Sequence, residues 1–175
     1  MRRIVGIDPG LFGGLGVVEL EGERVVNVAL CRTPVLMVGR AHGRRREYDL
    51  RAMVDVLMRW HQPPALGVEV ALELQNARPG QGVVSMFRLG VGFGVWLGIV
   101  AACGLPYELV APTRWKRWHG LIGADKRAAR LRLQDICPDL GPVHAVDEGA
   151  AEAALLAIYA ARSIGSPSAG METQQ

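Results

Sequence analysis

Hydrophobic positions change period several times along the chain. Ile4, Val5 and Ile7 form an apolar run that stops at Pro9-Gly10, which predicts a strand over Arg3–Asp8. Gly13–Leu20 and Arg24–Arg32 read as two more strands joined at Glu21-Gly22-Glu23, a meander. A polar insert follows over Thr33–Glu47. Asp49 is placed to cap a helix running to about Trp60, because Leu50, Met53, Val54, Leu57 and Met58 recur at helical spacing. Leu66–Leu74 alternates, with Leu66, Val68, Val70, Leu72 and Leu74 on one side and Glu69, Ala71 and Glu73 on the other, a fourth strand. After a glycine-proline loop at Gln75–Gly82, Val83–Cys103 reads as a long helix almost free of charge. Pro106–Ala111 is the fifth strand, and Pro112–Ala124 a tryptophan-rich connection. Asp125–Cys137 reads as a basic helix stopped by Pro138, and Asp147–Arg162 as an alanine-rich helix. Three antiparallel strands followed by strand–helix alternation predict an α/β fold with a mixed five-stranded sheet and helices on both faces.

Length narrows the function classes. The chain has 175 residues, enough for one domain with a proper core and too few for a two-lobed nucleotide enzyme, so no nucleotide cofactor is expected. The net charge is +3, carried almost entirely by arginine: Lys116 and Lys126 are the only lysines. Arginine forks suit phosphate, which makes a nucleic-acid partner worth testing. Cys31, Cys103 and Cys137 lie far apart with no CxxC, which excludes a zinc ribbon or a thioredoxin-type site. With Met1-Arg2-Arg3 running straight into a strand, the reading is a cytoplasmic protein. Leu89–Tyr107 approaches the length of a membrane span, but its glycines and its Gly-Leu-Pro end favour a buried helix and no membrane.

The chemistry lies in carboxylates from distant segments. Asp8 closes the first strand inside Gly6-Ile7-Asp8-Pro9-Gly10, where it can project past the strand end or merely form the turn. Glu73 ends the fourth strand. If the first and fourth strands are neighbours the two carboxylates meet; otherwise Glu73 joins Glu69 on a solvated face. Asp147 and Glu148 open the last helix, where negative charge favours the dipole. Glu152 shares a face with Glu148 and enters the apolar run Ala153–Ile158, where a carboxylate needs a partner, a metal or a proton. Asp147 points elsewhere on a regular helix. Such a set supplies the oxygen donors that a two-magnesium phosphoryl-transfer site requires.

These segments resemble a known family. Gly6–Gly10 is similar to the opening motif of RuvC-like Holliday-junction resolvases, which have the ribonuclease H-like fold. Arg78-Pro79-Gly80-Gln81-Gly82-Val83-Val84-Ser85-Met86-Phe87 resembles the M-P-G-Q-G-V-x-S-M-F signature of the bacteriophage and prophage branch, with Arg78 where methionine is usual. The resemblance continues through Gly90, Gly94 and Gly98, Val110-Ala111-Pro112, Trp115-Lys116, Asp125-Lys126 and Glu148–Ala153, and covers roughly Arg3 to Arg162. It implies a nuclease domain over 1–163; the small, polar residues of 164–175 read as a disordered tail. It implies Asp8, Glu73, Glu148 and Glu152 as catalytic metal ligands for two Mg2+ ions, with Mn2+ as a substitute. Glu148 stands where the family has aspartate, so Asp147 remains the alternative. It further implies a homodimer through the long helix, and paired symmetric cuts in four-way DNA that leave 5′-phosphate and 3′-hydroxyl ends.

Candidate DNA contacts follow. Arg78, Gln81 and Phe87 lie in or beside the loop after Glu73, where they can meet unpaired bases. Lys116, Lys126, Arg127 and Arg130 form a basic segment; at helical spacing the last three share one face, and Lys126 is a candidate for the scissile phosphate. Arg44–Arg46 reads equally as an arm on the DNA or as a surface loop, and Trp115 and Trp118 as packing residues. Three rivals stand beside this reading: ribonuclease H-type cleavage of RNA–DNA hybrids, a non-catalytic junction-binding dimer, and an actin-like sugar kinase or ATPase. The last needs a second phosphate loop and about twice the length.

Overall fold

The computed structural model describes residues 1–39, 43–60, 68–77, 80–125, 127–140 and 145–163. The expected tail at 164–175 lies outside them. The strands are β1 (Arg2–Asp8), β2 (Gly14–Glu21), β3 (Arg24–Arg32), β4 (Val35–Val38), β5 (Arg45–Tyr48), β6 (Val68–Glu73) and β7 (Tyr107–Val110). The helices are α1 (Leu50–Trp60), α2 (Val83–Ala102), α3 (Pro112–Trp118), α4 (Ala128–Ile136) and α5 (Glu148–Ser163). One five-stranded sheet runs in the order β3-β2-β1-β6-β7. The β1–β2 and β2–β3 pairs are antiparallel, and β1–β6 and β6–β7 are parallel. This is the mixed sheet read from the sequence.

Alternation along the strands sorts the core into two layers. Val5, Ile7, Val17, Val70 and Leu72 face one side and pack with Met53 and Leu57 of α1 and with Trp96 and Val100 of α2. Ile4, Val18 and Ala71 face the other and pack with Trp115 of α3, Leu133 of α4 and the alanine-rich face of α5. That second face is flat because β1 and β2 present glycine to it. A methyl group at Gly6 would collide with the Ala153 carbonyl oxygen, and one at Gly16 with the Ala154 backbone. Helix α5 therefore lies directly on the strand backbones, and its first turn reaches the end of β1 that carries Asp8.

Three expectations change. The polar insert holds a hairpin: β4 pairs with β5 from Val35↔Tyr48 to Val38↔Arg45. The tryptophan-rich connection contains α3, with Pro112 in its first turn, where a missing N–H is harmless. The basic helix starts later than its sequence pattern, at Ala128, because Asp125 Oδ1 accepts the backbone N–H groups of Arg127 (2.8 Å) and Ala128 (3.1 Å). Arg127 therefore caps the helix, its carbonyl accepting the Leu131 N–H at 3.1 Å; Lys126, and with it the face expected for Lys126, Arg127 and Arg130, lies outside the described residues.

Helix α2 also departs from the buried helix expected. By length and composition it could cross a membrane, yet only Gly92, Trp96 and Val100 are buried against the domain. Val83 is 84% exposed and Phe87 71%. Among the described residues, nothing comes within 4 Å of where a Cβ would stand at Gly90, Gly94 or Gly98, so a stripe of this helix is left uncovered by them.

Candidate active site

The parallel pairing of β1 with β6, in register at Ile7↔Leu72, sets Asp8 beside Glu73 at adjacent strand ends. Glu73 is buried, so it belongs to no solvated face. Its Oε2 accepts the indole N–H of Trp115 at 2.8 Å, and its Oε1 the Gln75 amide at 2.8 Å. Glu69, four residues earlier on the same side, is satisfied separately by Arg2 at 3.0 Å.

Helix α5 brings the third carboxylate. Glu152 sits one residue before Ala153, which rests on Gly6, and Lys116 Nζ from α3 bridges its two oxygens at 3.1 and 3.3 Å. The partner that a carboxylate needs at this apolar run is thus a lysine. Burial, reinforced by the Glu73 and Glu152 carboxylates, pushes Asp8 up to about 7, against the Gly10 N–H and Lys116, which pull it down. Burial also raises Glu73, opposed by the Trp115 and Gln75 hydrogen bonds and by Lys116. Among the described residues this is a group of carboxylates close enough to resist joint ionisation, with Lys116 as a cation in its midst.

A cleft of about 1050 Å³ opens over this floor. Asp8, Asp147, Glu148 and Glu152 line it, with Gln81, Ser85, Arg88 and Leu89 on one wall and Val35, Met37, Arg46 and Tyr48 of the hairpin on another. Asp147 is engaged elsewhere: Oδ1 accepts the Ala150 N–H at 3.3 Å as a helix cap, and Oδ2 pairs with Arg32 at 2.7 Å. Glu148 lines the cleft with no such engagement among the described residues. The donor set is entirely carboxylate oxygen, which suits a hard divalent cation. Among the described residues, no group of three His, Cys, Asp or Glu side chains is already placed to hold a metal ion. That is compatible with magnesium, which keeps several positions for water and substrate phosphate.

The other sequence candidates separate. Gln81, just before α2, lines the cleft, whereas Phe87 on α2 does not. Arg78 and Lys126 lie outside the described residues. Arg127 and Arg130 do not line the cleft; Arg130 is half-buried on α4, and its Nε has no partner among the described residues. Lys116 joins the carboxylates instead of forming part of a separate basic surface. Sequence reasoning missed the Trp115–Glu73 bond and the Lys116–Glu152 pair. The available signal was Pro112: a proline opening a helix would have placed Trp115 and Lys116 on successive positions of a short, rigid element.

No family model matches the chain. Curated relatives do. The chain is 34% identical over 161 residues to the crossover junction endodeoxyribonuclease RuvC of Azorhizobium caulinodans, covering 90% of this chain and 88% of that one. It is 33% identical over 135 residues to the protein of the same name from Myxococcus xanthus, covering 75% of this chain and 65% of that one. Among solved structures, RuvC of T. thermophilus in complex with Holliday junction substrate superposes with a TM-score of 0.55 at 20% identity, covering 92% of this chain and 96% of that one. That likeness carries the fold.

Proposed function

Because the chain belongs to the crossover junction endodeoxyribonuclease RuvC family, we propose that it resolves four-way DNA by paired, symmetric phosphodiester cuts. The reading extends to two magnesium ions per site, a homodimer in the cytoplasm, and the bacteriophage and prophage branch of the family. The observation that carries it is the meeting of Asp8, Glu73 and Glu152, brought from two strand ends and a helix, with Asp8 and Glu152 lining one cleft and Glu73 buried beside Asp8.

Asp8, Glu73 and Glu152 would hold the metal, with Glu148 as the fourth ligand in preference to Asp147, whose oxygens serve the helix cap and Arg32. When bound, magnesium supplies positive charge that polarises the phosphate and lowers the pKa of water. The protein's own part is positional. Trp115 and Gln75 fix the Glu73 carboxylate, so its rotamer is set before substrate arrives. Lys116 offsets the repulsion among the carboxylates through Glu152 and stands ready to face a phosphate oxygen. Gln81, Ser85 and Arg88 offer donors to the strand from the opposite wall.

The open stripe of α2 supports the dimer. An apolar helix face of this size on a lone soluble chain invites association, and glycines at 90, 94 and 98 allow a second helix to approach closely. Two sites related by a twofold axis match the symmetry of a four-way junction. A supercoiled plasmid that extrudes a cruciform tests both claims together. The wild-type protein should linearise it in magnesium. Gly94→Glu should shift the protein to monomer in light scattering and leave at most nicked circles. A wild-type monomer at micromolar concentration that still linearises the plasmid would contradict the dimer. Absence of any cut would contradict the activity.

A further inference from the structure

The β4–β5 hairpin has two unlike faces. Strand alternation puts Arg45 and Glu47 on the outer face, where they pair at 2.7 Å through Arg45 Nε. Val35, Met37, Arg46 and Tyr48 occupy the other face, and all four line the cleft above Asp8. The base of the hairpin is anchored: the Tyr48 hydroxyl donates to the Pro9 carbonyl at 3.2 Å, and the Asp49 N–H donates to Pro34 O at 3.1 Å. A side chain at Gly92 would strike the Tyr48 hydroxyl, so the hairpin, the turn after Asp8 and α2 meet at one point.

Arg46 reaches from this face to the turn that follows Asp8, where its guanidinium lies 4.6 Å from the centroid of the Phe12 ring. Phe12 is 76% exposed, which leaves its ring open to the guanidinium. Stacking holds a guanidinium by its face and leaves its in-plane N–H donors free. Among the described residues Arg46 has no carboxylate or carbonyl partner, in contrast to Arg45. The cleft floor carries several carboxylates, which repel a polyanion. A strand can settle there only if cations on the walls counter that field.

We propose that the β4–β5 hairpin clamps the backbone of the strand being cut, with Arg46, seated on Phe12, taking one of its phosphates in a two-toothed grip. This inference rests on the junction-cleaving reading above and adds the residues that hold the strand against the acidic floor. Phe12 acts through Arg46, as the surface that orients it.

The test is junction affinity without divalent ions, measured by fluorescence anisotropy across a potassium chloride series. The proteins are wild type, Arg46→Gln, Arg46→Lys, Phe12→Leu, the Phe12→Leu/Arg46→Gln double variant, and Arg45→Gln as a control of equal net charge. Arg46→Gln should weaken binding roughly tenfold and reduce the log–log salt slope by about one. Arg46→Lys should restore the slope but only part of the affinity, because a lysine lacks the planar fork. Phe12→Leu should weaken binding several-fold, and the double variant should be no worse than Arg46→Gln alone, since one residue works through the other. Arg45→Gln should stay close to wild type. Equal losses in Arg45→Gln and Arg46→Gln, or additive losses in the double variant, would overturn the clamp while leaving junction recognition intact. A wild-type protein that binds no junction at all would instead overturn the functional reading, and the clamp with it.

Discussion

Gly6 of β1 lies so close to Ala153 of α5 that a methyl group on Gly6 would overlap the Ala153 carbonyl oxygen. Asp8 follows Gly6 by two residues and Glu152 precedes Ala153 by one. The contact therefore sets the depth of one cleft carboxylate against another. Gly6→Ala should push α5 away from the sheet. The expected stability loss is about 1–3 kcal/mol from overpacking, accompanied by a loss of cleavage larger than partial unfolding explains. Thermal unfolding and cleavage rate measured on the same preparation check this. Full activity in a stable Gly6→Ala protein would show that the helix depth does not govern the site.

The crowding of Asp8 has a thermodynamic signature. Its folded-state pKa, about 7, exceeds the ordinary 3.8 because of burial and the Glu73 and Glu152 carboxylates. Between those two values the folded state holds a proton that the unfolded chain releases. The favourable contribution is complete below about pH 4 and lost as pH rises through 7. Asp8→Asn removes that loss and keeps an oxygen for the Gly10 N–H. In chelator it should melt several degrees above wild type at pH 8, with the gap shrinking at pH 5. Magnesium should stabilise wild type more than the variant. A variant that melts below wild type at pH 8 in chelator would count against this electrostatic account.

His119 gives the opposite slope. Its Nε2 lies 2.8 Å from Leu155 O. A carbonyl only accepts, so the proton is on Nε2, and the buried Nδ1 has no partner among the described residues. Burial pushes its pKa down to about 4, aided by Arg132 and Arg162 and opposed by the Leu155 bond. Between about 4 and the ordinary 6.5, the unfolded chain binds a proton that the folded state refuses. This contribution is full above 6.5 and lost as pH falls toward 4. His119→Gln can keep a donor to Leu155 without titrating. The drop in melting temperature from pH 7.5 to pH 5 should be smaller in the variant, and an equal drop would rule His119 out as its source.

The sheet was legible because its signals are local: apolar runs broken at Pro9-Gly10 and Gly22, and alternation through Val68–Glu73. The pairing of Asp8 with Glu73 could be anticipated only as a condition on strand order. The hairpin was not legible because Arg45, Arg46 and Glu47 are polar on both faces; its inner face meets a wet cleft, so no hydrophobic alternation marks it. Lys116 read as part of a charge run because nothing local reveals that α3 turns it toward Glu152. The choice between Asp147 and Glu148 was open in the sequence, and the geometry engages Asp147 with the cap and Arg32. The exposure of α2 was hidden because an apolar helix looks the same whether its cover is its own domain or a second copy.

The central claim is that the carboxylates of β1, β6 and α5 form the hydrolytic centre of a junction-resolving nuclease. The most direct measurement compares cleavage of a synthetic four-way junction, a matched duplex and an RNA–DNA hybrid by the wild-type protein and Asp8→Asn, with and without magnesium. The account predicts cuts in the junction alone, at symmetry-related positions, only with magnesium and only by the wild-type protein, while Asp8→Asn still binds the junction. Equal cleavage by Asp8→Asn, or cleavage of the hybrid in preference to the junction, would contradict it.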